Sequence, residues 1–258
     1  MNLRVNTKQQ KRLLGIASLA VVAILWQAVA DLVVANPFVL PSFTDVVSAF
    51  IDLLGSGRLL ADLITSLKHF AIGIGAAFLL GVPIGIIMGW FRVADAIIDP
   101  IIEVLRPIPP LAWIPFAIIW FGLTPLAAGF VIFIGAFFPI LINTVDGVQG
   151  VRTRWIEVAD MFHATTFERF RTVILPGALP MIWTGLRVSF GVAWMCVVAA
   201  EMLPGTTAGL GFLIMYAYNL GQLQVIGAGM IVIGLIGLLA DTIFRAGQRR
   251  FFSWQGRD

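Results

Sequence analysis

The chain alternates long apolar runs with short polar segments. A membrane-spanning helix needs about 20 consecutive, mostly apolar residues. The runs that meet this requirement lie at 13–34, 70–91, 99–121, 126–145, 182–203 and 225–244. The hydrophobic pattern therefore predicts an all-α polytopic membrane protein with six transmembrane helices.

Two further segments are helical in pattern but are not predicted to cross the membrane. Residues 45–60 carry too many charges to span, and their apolar positions recur at helical spacing, as in a helix that lies on a membrane surface. Residues 212–220 follow a glycine-rich stretch and predict a short helix before the last span.

The second predicted span carries a small residue at every fourth position. These residues are Gly73, Ala77, Gly81, Gly85 and Gly89. Small residues at this interval form a ridge on which the backbone of another helix can approach closely. The spacing predicts a tightly packed helix pair.

Basic residues give the orientation of the spans, because they accumulate on the cytoplasmic side of membrane proteins. With the amino terminus inside, all but Arg58 and Lys68 of the 17 lysine and arginine residues fall on the inner side. We therefore expect both termini to be cytoplasmic. The predicted division is a cytoplasmic tail at 1–12, a membrane domain at 13–244 with a cytoplasmic loop at about 150–178, and a basic cytoplasmic tail at 245–258.

Composition supports membrane embedding and argues against several other classes. Hydrophobic residues make up 59% of the chain and charged residues 12%, whereas a soluble domain carries about 25% charged residues. The net charge of +3 arises from residues that flank apolar spans, so it indicates orientation, and no nucleic-acid partner is expected. The first apolar run is longer than that of a cleavable signal peptide, so this run is expected to be a transmembrane helix. The single cysteine, Cys196, excludes an intramolecular disulfide.

The longest charged segment in the second half of the chain lies between two apolar runs, at 155–176. Its apolar positions predict one amphipathic helix from Trp155 to Arg171, and Pro176 predicts a break. Such a helix could rest on the surface of its own membrane domain. Alternatively, Glu157 and the neighbouring aromatic residues could occupy a socket in a cytosolic protein.

This segment resembles the EAA loop of ABC importer permeases. The similarity comprises Glu157-Val158-Ala159, position 163 and Val173-Ile174-Leu175-Pro176. His163 stands where the family pattern has glycine, so we expect either a reshaped turn or a helix that continues further. Further motifs are similar to those of nitrate/taurine (NitT/TauT) permeases, and most similar to the taurine and sulfonate members. These motifs are Asp99 to Pro115, Ile119 to Gly122, Ile174 to Pro180, Thr184 to Arg187 and Val198 to Glu201.

The resemblance implies a type I importer fold and a multi-subunit assembly in the inner (plasma) membrane. Its expected partners are a second copy of the chain, two cytoplasmic ABC ATPase subunits, a periplasmic or lipid-anchored substrate-binding protein and the lipid bilayer. The loop would contact the ATPase. The predicted coupling residues are Glu157, Ala159, Asp160, His163, Phe167 and Pro176.

The chain itself lacks the residues for ATP chemistry. A phosphate-binding loop needs a lysine that follows a glycine and precedes serine or threonine, and none of Lys8, Lys11 and Lys68 meets this condition. We therefore expect a non-catalytic subunit without a cofactor or metal, whose partner ATPase binds ATP and Mg²⁺.

Polar and aromatic residues within the spans are candidates for the translocation path, since such groups are costly in a membrane. Glu201 is either a gate residue or an interfacial carboxylate exposed to water. Arg187 either attracts an anion or anchors its helix at the lipid headgroups, and Asp241 is expected to pair with Arg245. The predicted path residues are Glu201, Trp194, Asn143, Arg187 and Trp113, with Thr144 and Ser189 as further candidates.

The function expected from these observations is that of a homodimeric permease for a small anion, such as a sulfonate, taurine, nitrate or bicarbonate. The same architecture could instead carry a neutral heterocycle such as a vitamin precursor. A secondary transporter driven by an ion gradient would need internal repeats or paired intramembrane carboxylates, and an intramembrane hydrolase would need a buried nucleophile with its base. Neither pattern is evident.

Overall fold

A computed structural model describes residues 8–203 and 206–252, and in that part of the chain all regular secondary structure is helical. The α-helices are α1 (Lys8–Ala28), α2 (Phe43–Gly55), α3 (Arg58–Trp90), α4 (Arg92–Leu105), α5 (Ile114–Phe121), α6 (Pro125–Gln149), α7 (Thr153–Met161), α8 (Thr166–Arg169), α9 (Leu175–Glu201), α10 (Leu210–Asn219) and α11 (Leu223–Phe251). A π-helical turn, Val29–Val34, extends α1, and a 3₁₀ turn, Pro110–Trp113, precedes α5. A second π-helical turn, Phe170–Ile174, joins α8 to α9.

The predicted all-α membrane architecture is confirmed. Among the described residues, five helical segments are long and apolar enough to cross a membrane, and there are six if a bent helix pair counts as one span. The five segments are Leu13–Val34, Arg58–Trp90, Pro125–Gln149, Thr166–Glu201 and Leu223–Phe251.

The third predicted span is not a single helix, so the prediction of one continuous helix there is wrong. The residues divide into Arg92–Leu105 and Pro110–Phe121, which meet at an angle of 88°. Pro107, Pro109 and Pro110 lie at the break. Proline lacks the backbone N–H that continues a helix and clashes with the preceding turn, which explains the bend.

The second span begins earlier than the hydrophobic pattern indicates. Helix α3 starts at Arg58, so the polar residues Asp62, Lys68 and His69 lie within it. The predicted surface helix at 45–60 is correspondingly shorter and ends at Gly55. Its start is fixed by a capping box, in which Ser42 and Asp45 bond each other's backbone N–H groups.

The described residues form two compact units, one comprising residues 8–60 and 213–232 and the other residues 61–203, 206–212 and 233–252. The first unit has a small core in which Val46, Ala49 and Ala228 are buried. In the second unit α6 is the most buried of the candidate spans. The buried residues of α6 include Val131, Ile132, Ala136, Ile140 and Leu141.

The small-residue ridge on α3 packs against α6, as predicted. A Cβ atom added at Gly85 would lie 2.7 Å from Thr144 Cβ, and one at Gly89 would lie 2.6 Å from Val148 Cβ. Gly73 meets Ile132 in the same way, and Ala77 is fully buried. The two backbones therefore approach so closely that a larger side chain does not fit along the ridge.

The polar segment at 155–176 is not one helix, which corrects the sequence prediction. Helix α7 ends at Met161 and α8 begins at Thr166. Pro176 does not break the chain either, because α9 continues through it from the preceding π-helical turn. In that turn the N–H of Leu175 donates to the carbonyl of Phe170. A π-helical turn adds a residue to the helical repeat, and this relieves the conflict with the proline ring.

Candidate functional site: a surface helix–turn–helix and a buried carboxylate network

The first candidate site is the helix–turn–helix formed by α7 and α8. Four residues, 162–165, separate the two helices. His163 lies in the turn with a φ of +53°, the left-handed conformation that glycine adopts without cost. Histidine is among the residues that enter this region most often after glycine, asparagine and aspartate. Helix α7 therefore ends before His163, so the expected continuation of the helix is wrong, and histidine holds a turn conformation that usually selects glycine.

Polar contacts fix both sides of this turn. The hydroxyl of Thr165 accepts a hydrogen bond from the N–H of Glu168, and the Glu168 carboxylate accepts one from the N–H of Thr165. This capping box sets the start of α8. Asp160 of α7 forms a salt bridge with Arg169 of α8 at a distance of 2.9 Å, and this salt bridge also links the two helices.

The surface of the helix–turn–helix is unusually apolar. Phe162 is 81% exposed, Met161 79% and Phe167 69%. Glu157 is exposed on the same helix as Met161, whereas Ala159 is buried and Pro176 is half-buried. Large exposed apolar side chains rimmed by charged groups are typical of a protein interaction surface. We refer to Glu157, Met161, Phe162 and Phe167 as the coupling surface.

Three of the five predicted path residues lie at seven-residue intervals along α9. Arg187, Trp194 and Glu201 therefore follow one face of the helix. That face is packed against neighbouring elements. Trp194 is buried, its indole N–H donates to the carbonyl of Ile233 at 3.1 Å, and its ring lies 5.9 Å from that of Phe70.

Arg187 forms part of a charged cluster between α9 and α11. Its Nε and Nη2 atoms donate to the same carboxylate oxygen of Asp241, at 2.9 and 2.6 Å. The other oxygen of Asp241 accepts from Arg245 at 2.7 Å, which confirms the predicted pairing of Asp241 with Arg245. Two guanidinium groups thus share one carboxylate, and the cluster keeps a formal excess of one positive charge.

Glu201 is fully buried, so the expectation of a carboxylate exposed to water is wrong. One carboxylate oxygen accepts from His69 Nδ1 at 2.8 Å. The other accepts from the Ser66 hydroxyl at 2.7 Å and from the N–H of Gly211 at 3.1 Å. A carboxylate removed from water is destabilised unless such donors replace its hydration.

The same group of side chains binds the start of α10. Asp62 accepts from the N–H of Gly209 at 3.0 Å, and Ser66 accepts from the N–H of Leu210 at 2.9 Å. Three successive backbone N–H groups, those of residues 209–211, are therefore satisfied by side chains of α3 and α9. We refer to Asp62, Ser66, His69, Glu201 and residues 209–211 as the Glu201 network.

Two glycines are required where the chain passes this network. Gly209 has a φ of +129°, and a Cβ atom there would overlap the carboxylate of Glu201. A Cβ atom on Gly211 would overlap the carbonyl of Val198. Any larger residue would push the loop away from its hydrogen-bonding partners.

The remaining predicted path residues lie apart from this network. Asn143 donates to the carbonyl of Pro139 in its own helix at 2.8 Å. Trp113 packs near Phe116 and Phe130, with its indole nitrogen buried. Thr144 and Ser189 are fully buried and bond to carbonyls of their own helices. The structure therefore does not bring the predicted path residues into one site.

Sequence reasoning missed Asp62, Ser66 and His69 as members of a site. The charge-free run used to define the second span begins only at Phe70, which left these residues outside the predicted helix. Their spacing carries a signal, however, because positions 62, 66 and 69 fall on one face of a helix. Extending the helical pattern back to Arg58 would have placed three polar groups on that face.

The membrane-helical fold and the helix–turn–helix define a class of protein, the type I ABC importer permeases. A chain of the MetNI methionine ABC transporter, solved in inward-facing conformations, matches with a TM-score of 0.62, covering 75% of this chain and 96% of that one. The sequence identity of 21% makes this a likeness of fold.

Comparison of sequences gives the family directly. Residues 81–254 match the model of the binding-protein-dependent transport system inner membrane component, and the chain belongs to this family. A putative ABC transporter permease protein of Methanocaldococcus jannaschii is 45% identical over 99% of this chain and 96% of its own length. The taurine transport system permease protein TauC of Escherichia coli is 38% identical over 94% of this chain and 90% of its own length. These matches confirm the NitT/TauT-type resemblance and a multi-pass location in the inner membrane.

Proposed function

We propose that two copies of this chain form the translocation path for a small anion, such as a sulfonate, taurine, nitrate or bicarbonate. An external binding protein delivers the substrate, and two cytoplasmic ATPase subunits bind ATP and Mg²⁺ and drive the cycle. The observation that carries this proposal is the coupling surface, which combines an exposed carboxylate with three large exposed apolar side chains. Family membership gives the importer class.

The coupling surface suits a cytosolic protein partner better than lipid. Its apolar residues belong to short helices that also carry Asp160, Glu168, Arg169 and Arg171, and burying these charges in hydrocarbon would be costly. A groove on an ATPase subunit could cover Met161, Phe162 and Phe167 and leave the charged groups at its rim. This arrangement of apolar centre and polar rim is common in protein interfaces.

The formal positive charge at the Arg187–Asp241–Arg245 cluster supports an anionic cargo. Arg187 and Asp241 are about one-third exposed and Arg245 is more exposed. A partly hydrated positive group attracts an anion over a distance of about a Debye length without binding it tightly. Such weak attraction suits a path through which substrate must pass.

Co-purification tests the coupling role. The tagged chain, expressed with its candidate ATPase, is purified as wild type, Glu157→Ala and the double variant Phe162→Ala/Phe167→Ala. We expect the double variant to retain less than about one-tenth of the ATPase, because truncating a buried interface aromatic costs about 2 kcal/mol or more. Glu157→Ala is expected to reduce uptake in reconstituted liposomes.

Phe38→Ala is the matched control, because Phe38 is 77% exposed and lies outside the helix–turn–helix. It should leave both the bound ATPase and the uptake unchanged. The coupling role is wrong if the double variant keeps a full complement of ATPase and Glu157→Ala transports normally.

A further inference from the structure

We propose that α4 lies flat on the cytoplasmic surface of the membrane, with one apolar face in the lipid and an acidic face in water. The helix is then an in-plane anchor and not part of a membrane span. The partner in this inference is the phospholipid of the inner leaflet, and the inference is independent of the transported substrate. Three stripes of side chains along α4, its length and its junctions with α3 and α5 support it.

The first stripe of α4 is apolar and exposed over the whole length of the helix. Val93 is 73% exposed, Ile97 64%, Ile101 55% and Val104 72%. With 3.6 residues per turn, these four positions fall within about 80° of one another. Large apolar side chains that face outward in such a row mark a surface that another apolar phase covers. The stripe therefore faces either lipid or another protein.

The second stripe is acidic and lies on the other side of the helix. Asp95, Asp99 and Glu103 recur at every fourth position, roughly 150° around the helix from the apolar stripe. Asp99 and Glu103 are exposed, and Asp95 is partly exposed and accepts a hydrogen bond from the side chain of Gln149 at 3.2 Å. A helix with an apolar face and a strongly polar face on opposite sides is typical of the membrane–water interface.

The third stripe lies between the other two and is covered by the protein itself. Ile102 is buried in a cluster with Met88 of α3 and Leu141 of α6, and Ile98 and Leu105 pack against this cluster. The chain thus holds α4 from the side and leaves its apolar and acidic stripes on free surfaces. Lipid on the first surface and water on the second is the arrangement that solvates both stripes.

The two neighbouring helices place α4 at the end of a span. Helix α3 ends at Trp90 and α4 begins at Arg92, so α4 starts at the membrane surface that α3 reaches. Its 14 residues measure about 21 Å, less than the hydrocarbon thickness of about 30 Å. It then meets the next helical segment at 88°. Whether the bent pair crosses the membrane therefore depends on α5 alone.

The charges of α4 favour lipid as the cover of the apolar stripe. Arg92 and Arg106 lie at the two ends of the helix, and both are exposed. On a flat helix both guanidinium groups reach the phosphate groups of the lipid while their stems stay beside apolar surface. On a spanning helix the two arginines would differ in depth by about 21 Å. Arg106 and the acidic stripe would then enter the hydrocarbon, where such groups are rare and costly.

Depth measurements on the spin-labelled full chain test this orientation. In a Cys196→Ala background, Val93→Cys and Val104→Cys are each labelled with a nitroxide in nanodiscs of phosphatidylcholine and phosphatidylglycerol. Power saturation with oxygen and with the water-soluble complex Ni-EDDA gives the depth of each label. The two positions are 11 residues apart on the apolar stripe, so a spanning helix would separate them by about 16 Å. We expect both labels to contact mainly oxygen, at depths that differ by less than about 8 Å.

A pair of positions on α3 is the matched control. Leu79 and Ile87 are exposed apolar residues of a candidate span, eight residues apart. The labels of Leu79→Cys and Ile87→Cys should therefore differ in depth by about 12 Å. Asp99→Cys and Glu103→Cys report on the acidic stripe, and we expect Ni-EDDA to reach both labels.

A depth difference of about 8 Å or more between positions 93 and 104 would overturn the proposal, because α4 would then run into the membrane. Shielding of both labels from oxygen and from Ni-EDDA would also overturn it, since a protein surface such as a second copy of the chain would then cover the stripe. Labels that Ni-EDDA reaches more readily than oxygen would place the stripe in water, against the proposal. None of these results changes the co-purification of the ATPase, so the proposed function is tested separately.

Discussion

At His163 a residue with a side chain occupies a backbone conformation that usually selects glycine. The φ of +53° stores a local strain on the order of 1 kcal/mol. The capping box at Thr165 and the Asp160–Arg169 pair hold both flanks of the turn, so the surrounding contacts outweigh this strain.

Substitutions at this position measure that strain. We expect His163→Gly to raise the free energy of unfolding by up to about 1 kcal/mol and to preserve coupling, because glycine enters the left-handed region freely. His163→Val should lower stability and coupling, since a β-branched residue is a genuine outlier there. Thermal unfolding in nanodiscs and ATP-dependent uptake are the measurements. Equal stability of the two variants would show that the turn is not constrained at this residue.

Gly209 is a second residue whose backbone conformation disfavours a side chain, and here two causes act together. Gly209→Ala should destabilise the protein by more than about 2 kcal/mol, because it combines a positive φ with overlap on the Glu201 carboxylate. Gly221→Ala is the control for positive φ alone, with a φ of +69° and no atom near the added Cβ. It should show the smaller loss, because the left-handed region is open to alanine at a modest cost. Thermal unfolding of both variants is the measurement, and equal losses would exclude the overlap as a cause.

At the scale of the helices, hydrophobic runs were sufficient to locate the spans but not to fix their form. The positions of α6, α9 and α11 agree with the predicted runs to within several residues, because each long, mostly apolar run corresponds to one helix. The start of α3 was missed because the run was taken to begin only after its polar residues. Asp62 and His69 are bonded by groups outside α3, and Lys68 is exposed. The bend after α4 and the π-helical turn before Pro176 depend on how neighbouring backbone groups compensate for proline. Hydropathy does not contain this information.

The same limit applied to the sites. The coupling loop could be located from its spacing, since Glu157 and Pro176 lie close in sequence. The Glu201 network joins residues more than 130 positions apart. Single-sequence reasoning finds such partners only if the polar face of α3 is recognised first.

The ridge on α3 gives a prediction that belongs to the helix as a whole. Gly85→Leu should disrupt the packing of α3 on α6 and cost about 1–3 kcal/mol, because an added Cβ atom would already lie 2.7 Å from Thr144. Gly75→Leu lies on the same helix with no atom within 4 Å of the added Cβ and should be tolerated. Thermal unfolding in nanodiscs is the measurement. A comparable loss in both variants would indicate low tolerance for leucine anywhere in α3.

For the whole molecule, the bent pair α4–α5 decides which side of the membrane each later segment faces. If the pair crosses the membrane, there are six spans, and the termini and the helix–turn–helix lie on one side. If it enters and returns, there are five, and the helix–turn–helix lies opposite the amino terminus. The distribution of basic residues predicts the first arrangement.

Cysteine accessibility distinguishes these two topologies. In a Cys196→Ala background, Thr124→Cys should react with a membrane-impermeant maleimide added outside intact cells, and Thr153→Cys only after the membrane is opened. Both threonines are exposed, and Cys196, the one native cysteine, is buried. The reverse pattern, with Thr153→Cys labelled outside intact cells and Thr124→Cys only after the membrane is opened, would establish a re-entrant pair and overturn the cytoplasmic placement of both termini.

The continuity of helix through Pro176 has a mechanical consequence. From Thr166 to Glu201 the chain is one helical rod of 36 residues, roughly 54 Å long at 1.5 Å per residue. It packs against α6 along much of its length, from Ala178 and Met181 beside Gly147 to Cys196 beside Gly135. We therefore expect a displacement at the Thr166 end to move the rod and α6 together and to reach the Glu201 network at the other end.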